Sequence, residues 1–141
     1  MGDLTRFVQA QEGVYQQTLT EVRGGRKRSH WMWFIFPQLA GLGHSSTAQY
    51  YAVADLDEAV AYLADPVLGP RLVEITTALL AVESRDAEAI FGYPDDLKLR
   101  SCMTLFAQVP GASSVFNQVL DEFFDGRPDQ VTLRLLGGHV H

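Results

Sequence analysis

The chain has 141 residues, 47% of them hydrophobic, and a formal net charge of −6, which excludes a disordered chain and, by bulk charge, a general nucleic-acid binder. That length suits one domain, taken as residues 1–141, which buries about two thirds of its unfolded surface and needs no covalent staple. The single cysteine, Cys102, excludes an intrachain disulfide and a multi-cysteine metal cluster.

Asp3 is placed to cap a first helix by accepting a bond from a free backbone N–H. Leu4, Phe7, Val8, Val14, Tyr15, Leu19 and Val22 then recur at helical spacing, and Gly24-Gly25 ends the stripe. The run from Arg26-Lys27-Arg28 through Trp31, Trp33 and Phe36 to Pro37 and Gln38 has no polar face in its apolar part. Periodicity alone does not separate a buried strand from a short buried helix there, and the helical neighbours favour a helix stopped by Pro37. Residues 41–46 read as a loop. Ser46 is expected to cap residues 47–53, and Asp55 with Glu58 reads as a capping box for residues 56–63. Asp65-Pro66 opens a helix carrying Leu68, Leu72, Ile75 and Leu79 inward. A short helix over 86–91 is stopped by Gly92. Another runs from Asp95 or Asp96 to about Gln108, a third from Ser113 to Gly126, and a last from Asp129 to Gly137-Gly138. No alternating run with hairpin punctuation appears. The expectation is an all-α, single-domain multihelical array of about seven or eight helices, each burying one apolar stripe.

The longest apolar run, residues 31–37, is too short to span a bilayer, and Met1-Gly2-Asp3-Leu4 lacks the pattern of a secretory leader. With one unpaired cysteine, this points to a cytoplasmic protein with no membrane partner. No Walker loop, GxGxxG, His-Glu-x-x-His or GxSxG motif is present. Of the histidines, His30 and His44 lie in the body of the chain and His139 and His141 at its end. Their spacing demands no zinc site, so neither metal nor cofactor is expected.

Two segments carry possible chemistry. Arg23, Arg26, Lys27 and Arg28 lie within six positions, and Arg26, Lys27 and Arg28 offer charge-assisted donors to phosphate. Trp31 and Trp33 offer faces to a flat ring, and Gln38 a polar end to the run. The competing reading makes the aromatics core and the cations a solvated turn; Phe34 and Ile35 are assigned to the core outright. In the second segment, Asp95 and Asp96 suit a helix N-terminus, which accounts for them structurally. As chemistry, a carboxylate beside Lys98 would hold a ribose or act as a base, and His30 has the best unperturbed pKa for proton transfer. Cys102, several residues into its helix, reads as inert. The small-residue loop 41–46 running into a helix start is a weak anion signal.

These stretches resemble one family. The run 26–38, Leu4-x-x-Phe7-Val8-x-Ala10-Gln11, Asp65-Pro66-Val67-Leu68-Gly69-Pro70-Arg71-Leu72, Phe91-Gly92-x-Pro94-Asp95-Asp96-Leu97-Lys98-Leu99 and Met103-Thr104-Leu105-Phe106 are similar to the bacterial domain-of-unknown-function family number 1810. The resemblance spans nearly the whole chain and implies an all-helical single domain. It implies no activity and no catalytic residues. Members sometimes carry the label calpastatin, but nothing in the residues supports protease inhibition. A fainter likeness, of size, helical class and the 65–72 helix start, is to the NADAR family acting on ADP-ribose conjugates.

The residues thus lead to a site for a phosphate-bearing nucleotide-type small molecule, an ADP-ribose derivative being one candidate. Arg26, Lys27 and Arg28 would hold phosphate, Trp31, Trp33 and Gln38 would line the site, and His30, Asp95 and Lys98 would move protons. The alternative is a non-catalytic module for protein interaction or homodimerisation. Nucleic acid is not an expected partner.

Overall fold

The helix expected over residues 4–22 is two helices. The computed structural model describes residues 3–137, and in it Gly13, at φ +76°, separates α1 (Thr5–Gln11) from α2 (Tyr15–Arg23). Glycine takes that backbone at no steric cost, so the apolar stripe continues while the helix breaks. Asp3 does accept from the Thr5 amide, at 2.9 Å. The remaining helices are α3 (Met32–Ile35), α4 (Ser46–Tyr50), α5 (Leu56–Ala64), α6 (Leu68–Leu80), α7 (Ala87–Phe91), α8 (Asp95–Ala107), α9 (Val115–Phe123) and α10 (Gln130–Gly137). The described residues are all-helical. They hold ten helices, close to the seven or eight expected, with the Gly13 break adding one. Among them no helix is long and apolar enough to cross a membrane. His139, His141 and Gly138 lie outside the described residues, as do Met1 and Gly2.

Most helix starts obey their caps. Asp65 accepts from the Val67 and Leu68 amides, Asp86 from Ala89, and Asp129 from the Thr132 amide and hydroxyl. Asp55 accepts from the Glu58 amide at 2.8 Å, but Glu58 reaches back to the Ala54 amide, one residue before the position a capping box uses. The α4 cap is Ser45 rather than Ser46: Ser45 has the extended backbone of a cap and accepts from Ala48. Val53, expected in that helix, is instead extended and forms an isolated parallel bridge with Leu39.

At the centre lies α8. It packs against α5, α7, α9 and α10, and Leu99 and 101–106 are all buried. The stretch 101–106 is buried all round the helix, while the first turns carry Asp95, Asp96, Lys98 and Arg100 at partly exposed positions. Its buried hydroxyls bond one turn back, Ser101 to Leu97 O at 3.1 Å and Thr104 to Arg100 O at 2.8 Å, so they leave no open donor. Around α8, α6 packs on α2, α5 and α9. Gly69 makes the α5–α6 approach possible, since a Cβ there would stand 2.1 Å from the Leu63 carbonyl oxygen. α1 packs on α3. Gln11, buried at this contact, donates to Phe34 O at 2.9 Å and accepts from Arg71 at 3.2 Å. These ties fix α3, whose residues face the candidate site.

Candidate functional site

One carboxylate shapes the basic loop. Glu21 sits on the inner face of α2 between Leu19 and Val22 and is 8% exposed. Its Oε1 accepts from the Arg28 amide (2.7 Å), the Ser29 amide (3.1 Å) and the Trp31 indole (2.9 Å). Its Oε2 accepts from the Ser29 hydroxyl (2.7 Å) and the Gln17 amide (3.1 Å). Burial pushes its pKa up, but the Arg28 amide, Ser29, Trp31 and Gln17 outweigh that and hold it at about 2. No cation takes part, so the loop is anchored through its backbone and its lysine and arginine side chains remain directed elsewhere.

Lys27 turns the other way. Its amide donates to Ile90 O at 2.7 Å, docking the loop on α7. Its Nζ lies 3.0 Å from Asp95 Oδ2, and Lys98 Nζ lies 3.4 Å from Asp95 Oδ1. Lys27 also stands 5.4 Å from the centre of the Trp31 ring, and Lys98 5.2 Å from that of Trp33. The sequence brings this about simply: Asp95 is the first residue of α8, Lys98 is one turn on, and the Glu21 anchor delivers Lys27 from across the fold. Asp95 thus pairs with two ammonium groups, and Asp96 adds a second carboxylate at the next position of the same helix turn.

Beside this triad opens a cleft lined by Met32, Trp33, Phe36, Gln38, Tyr51 and Lys98, with Gly43 and Ala48 closing one side. Its interior volume is about 10 Å³, space for one water-sized sphere. Gly43 is required by its closeness to the helix it precedes, since a Cβ would lie 2.5 Å from that of Ala48.

Of the expected site residues, the structure therefore unites Trp33, Gln38 and Lys98 in the cleft, and Asp95 and Lys27 beside it. It does not bring in the others. Trp31 is 2% exposed and bonded to Glu21, so it presents no face to a ligand: the competing core reading is correct for it, because Glu21 draws its indole inward. Arg26, Arg28 and His30 are exposed, and none lines the cleft or enters an ion pair among the described residues. Cys102 is fully buried and burial pushes its thiol well up, as an inert cysteine requires. Among the described residues no three His, Cys, Asp or Glu side chains gather to hold a metal. Sequence reasoning missed Glu21, and it singled out the loop 41–46 as an anion signal but not the 41–52 segment as a wall of the cleft. An acidic residue on the apolar stripe of α2 was the signal for Glu21; the wall had only its glycines.

Comparison with known proteins agrees with this architecture. The family described as protein of unknown function (DUF1810) matches residues 1–136. The crystal structure of the conserved hypothetical protein Rv1873 from Mycobacterium tuberculosis is similar with a TM-score of 0.93 and 51% identity, over 96% of each chain. No curated protein matches the chain.

Proposed function

Because the chain belongs to the DUF1810 family, whose description assigns no activity, we propose its function from the site: binding or turnover of a phosphate-bearing nucleotide-type small molecule, an ADP-ribose derivative being one candidate. The observation that carries this is the pair of ammonium groups, Lys27 and Lys98, converging on Asp95 at the rim of a cleft walled by Trp33. The ammonium protons would contact phosphate, the Trp33 ring would take a base or other flat ring, and the Gln38 amide would read its polar edge. Asp95 is the group placed to accept a proton or a ribose hydroxyl, with Lys98 as its partner. Arg26 and Arg28, exposed on the same loop, extend the field that steers an anion in. A cytoplasmic location accompanies this reading, that being where nucleotides are abundant.

A protein-interaction or homodimer module would call for Trp31, Trp33, Phe123 and Phe124 in one exposed patch. Trp31 is buried and Phe123 lies half-buried under Arg85, 5.1 Å from its ring centre, so the ligand reading is preferred.

Titration calorimetry with ADP-ribose, AMP and pyrophosphate is the test. Saturable heat is expected with at least one of them. Lys98→Gln and Lys27→Gln are each expected to weaken it about tenfold or more, the loss of one charge-assisted bond. Absence of heat from all three at millimolar concentration would sink the proposal.

A further inference from the structure

The nucleotide reading leaves a mismatch of size. An interior of about 10 Å³ is far below the several hundred Å³ that small-molecule sites commonly enclose, so one wall must give way. Met32 and Phe36 are each 1% exposed and Leu39 4%, which makes the floor core. The Lys98 side belongs to α8, a 13-residue helix packed against α5, α7, α9 and α10. The remaining wall is the segment 41–52, and its helix α4 has no buried residue.

That segment is hydrogen-bonded at its neck, while its body is held by packing, with Leu42 against the core, and by bonds within the segment. The Ala40 amide donates to Val53 O and the Val53 amide to Gln38 O, each at 2.8 Å, which joins the two ends. Arg6 grips the outgoing limb through Tyr50 O (2.8 Å) and Ala52 O (2.7 Å), and is itself held by Glu58 at 3.3 Å. Tyr51 packs on Phe7 and Phe34, with ring centres 6.0 and 5.5 Å away. Between these anchors the bonds are internal: Ala48 to Ser45 Oγ, Gln49 to Ser45 O and Gln49 Nε2 to His44 O. Among the described residues no hydrogen bond or ion pair from 41–49 leaves the segment 41–52. Gly41, at φ +102°, stands at the incoming end, where a side chain would be strained.

We infer that residues 41–49 are a lid, turning on Gly41 and on the Arg6-held limb, that lifts to let a flat ring onto Trp33 and closes over it. The inference rests on the nucleotide reading for the identity of the occupant; the lifting itself is a property of the free protein.

The test places a thiol on the cleft floor. Met32→Cys puts it beneath the lid, and native Cys102, 0% exposed inside α8, reports global unfolding in the same molecule. With a small disulfide reagent, the introduced thiol is expected to react roughly a hundredfold faster than Cys102, because local opening is far more frequent than global unfolding. Leu39→Cys repeats the measurement at a second cleft position should the first variant fold poorly. Equal rates for the introduced thiol and Cys102, in whichever variant folds, overturn the lid. ADP-ribose is expected to slow the fast reaction roughly tenfold. If the fast reaction is present and ADP-ribose leaves it unchanged, the lid stands and the nucleotide reading falls.

Discussion

A single buried carboxylate decides where the cations of this protein go. Glu21 accepts five hydrogen bonds from the loop that follows α2 and from α2 itself. Truncation leaves four neutral donors of that loop without their acceptor, and buried unpaired donors are costly. Glu21→Ala is therefore expected to lower unfolding stability in urea by about 2–4 kcal/mol. The carboxylate also gives a pH signature. Its pKa falls from 4.5 to about 2 on folding, so the ionised form stabilises the native state fully above pH 4.5. That contribution, on the order of 3 kcal/mol, is lost as pH drops from about 4.5 to about 2. In urea titrations across that range, Glu21→Gln is expected to show a shallower loss than the unsubstituted protein. Identical slopes would refute this account of the residue. Tyr15 follows the opposite logic: burial and its bond to Glu74 at 2.6 Å raise its phenol, so it stays a neutral donor between α2 and α6 throughout.

At the scale of elements, close approach rather than propensity sets the layout. Gly69 lies in the second position of α6, where glycine is a poor helix former. It is there because the Leu63 carbonyl at the end of α5 leaves no room for a methyl group. Gly69→Ala must push the α5–α6 corner apart, and is expected to cost more than 2 kcal/mol by thermal or urea unfolding, despite alanine's better propensity of about 1 kcal/mol. A neutral or stabilising outcome would show that the corner relaxes freely. Caps at Asp55, Asp65 and Asp129 were legible in the chain because a cap is a local bond to the amides ahead, while the α4 cap fell one residue off the expected Ser46. The Gly13 break was not legible, because the apolar spacing runs through it unbroken and only the positive φ reveals the interruption.

For the molecule as a whole, α8 is the hub on which α5, α7, α9 and α10 pack. Arg100 donates to Arg127 O at 2.7 Å and Pro128 O at 3.1 Å, and the Asp129 amide donates to Thr104 at 2.8 Å. The turn before α10 is thereby fastened to the same helix that supplies Asp95 and Lys98. A fold organised on one buried helix is expected to unfold in a single cooperative transition. Cys102 gives a direct check, being fully buried with its thiol pushed up. Its modification in the unsubstituted protein should track the urea transition seen by tryptophan fluorescence. Rapid reaction in native buffer would contradict the packing described.

Helical class, most helix starts and the family could be read directly from the chain, because periodicity, caps and short motifs act over a few neighbouring residues. The same holds for Lys98 beside Asp95, one turn apart on a helix. What only the tertiary structure decided was the direction of each side chain around the basic loop. Trp31 and Trp33 are near neighbours in the chain, yet one is drawn into the core by Glu21 and the other walls a cleft. Lys27 meets Asp95 across 68 positions while Arg26 and Arg28 face solvent. Those outcomes depend on partners distant in sequence, and long-range partners leave no trace in local spacing.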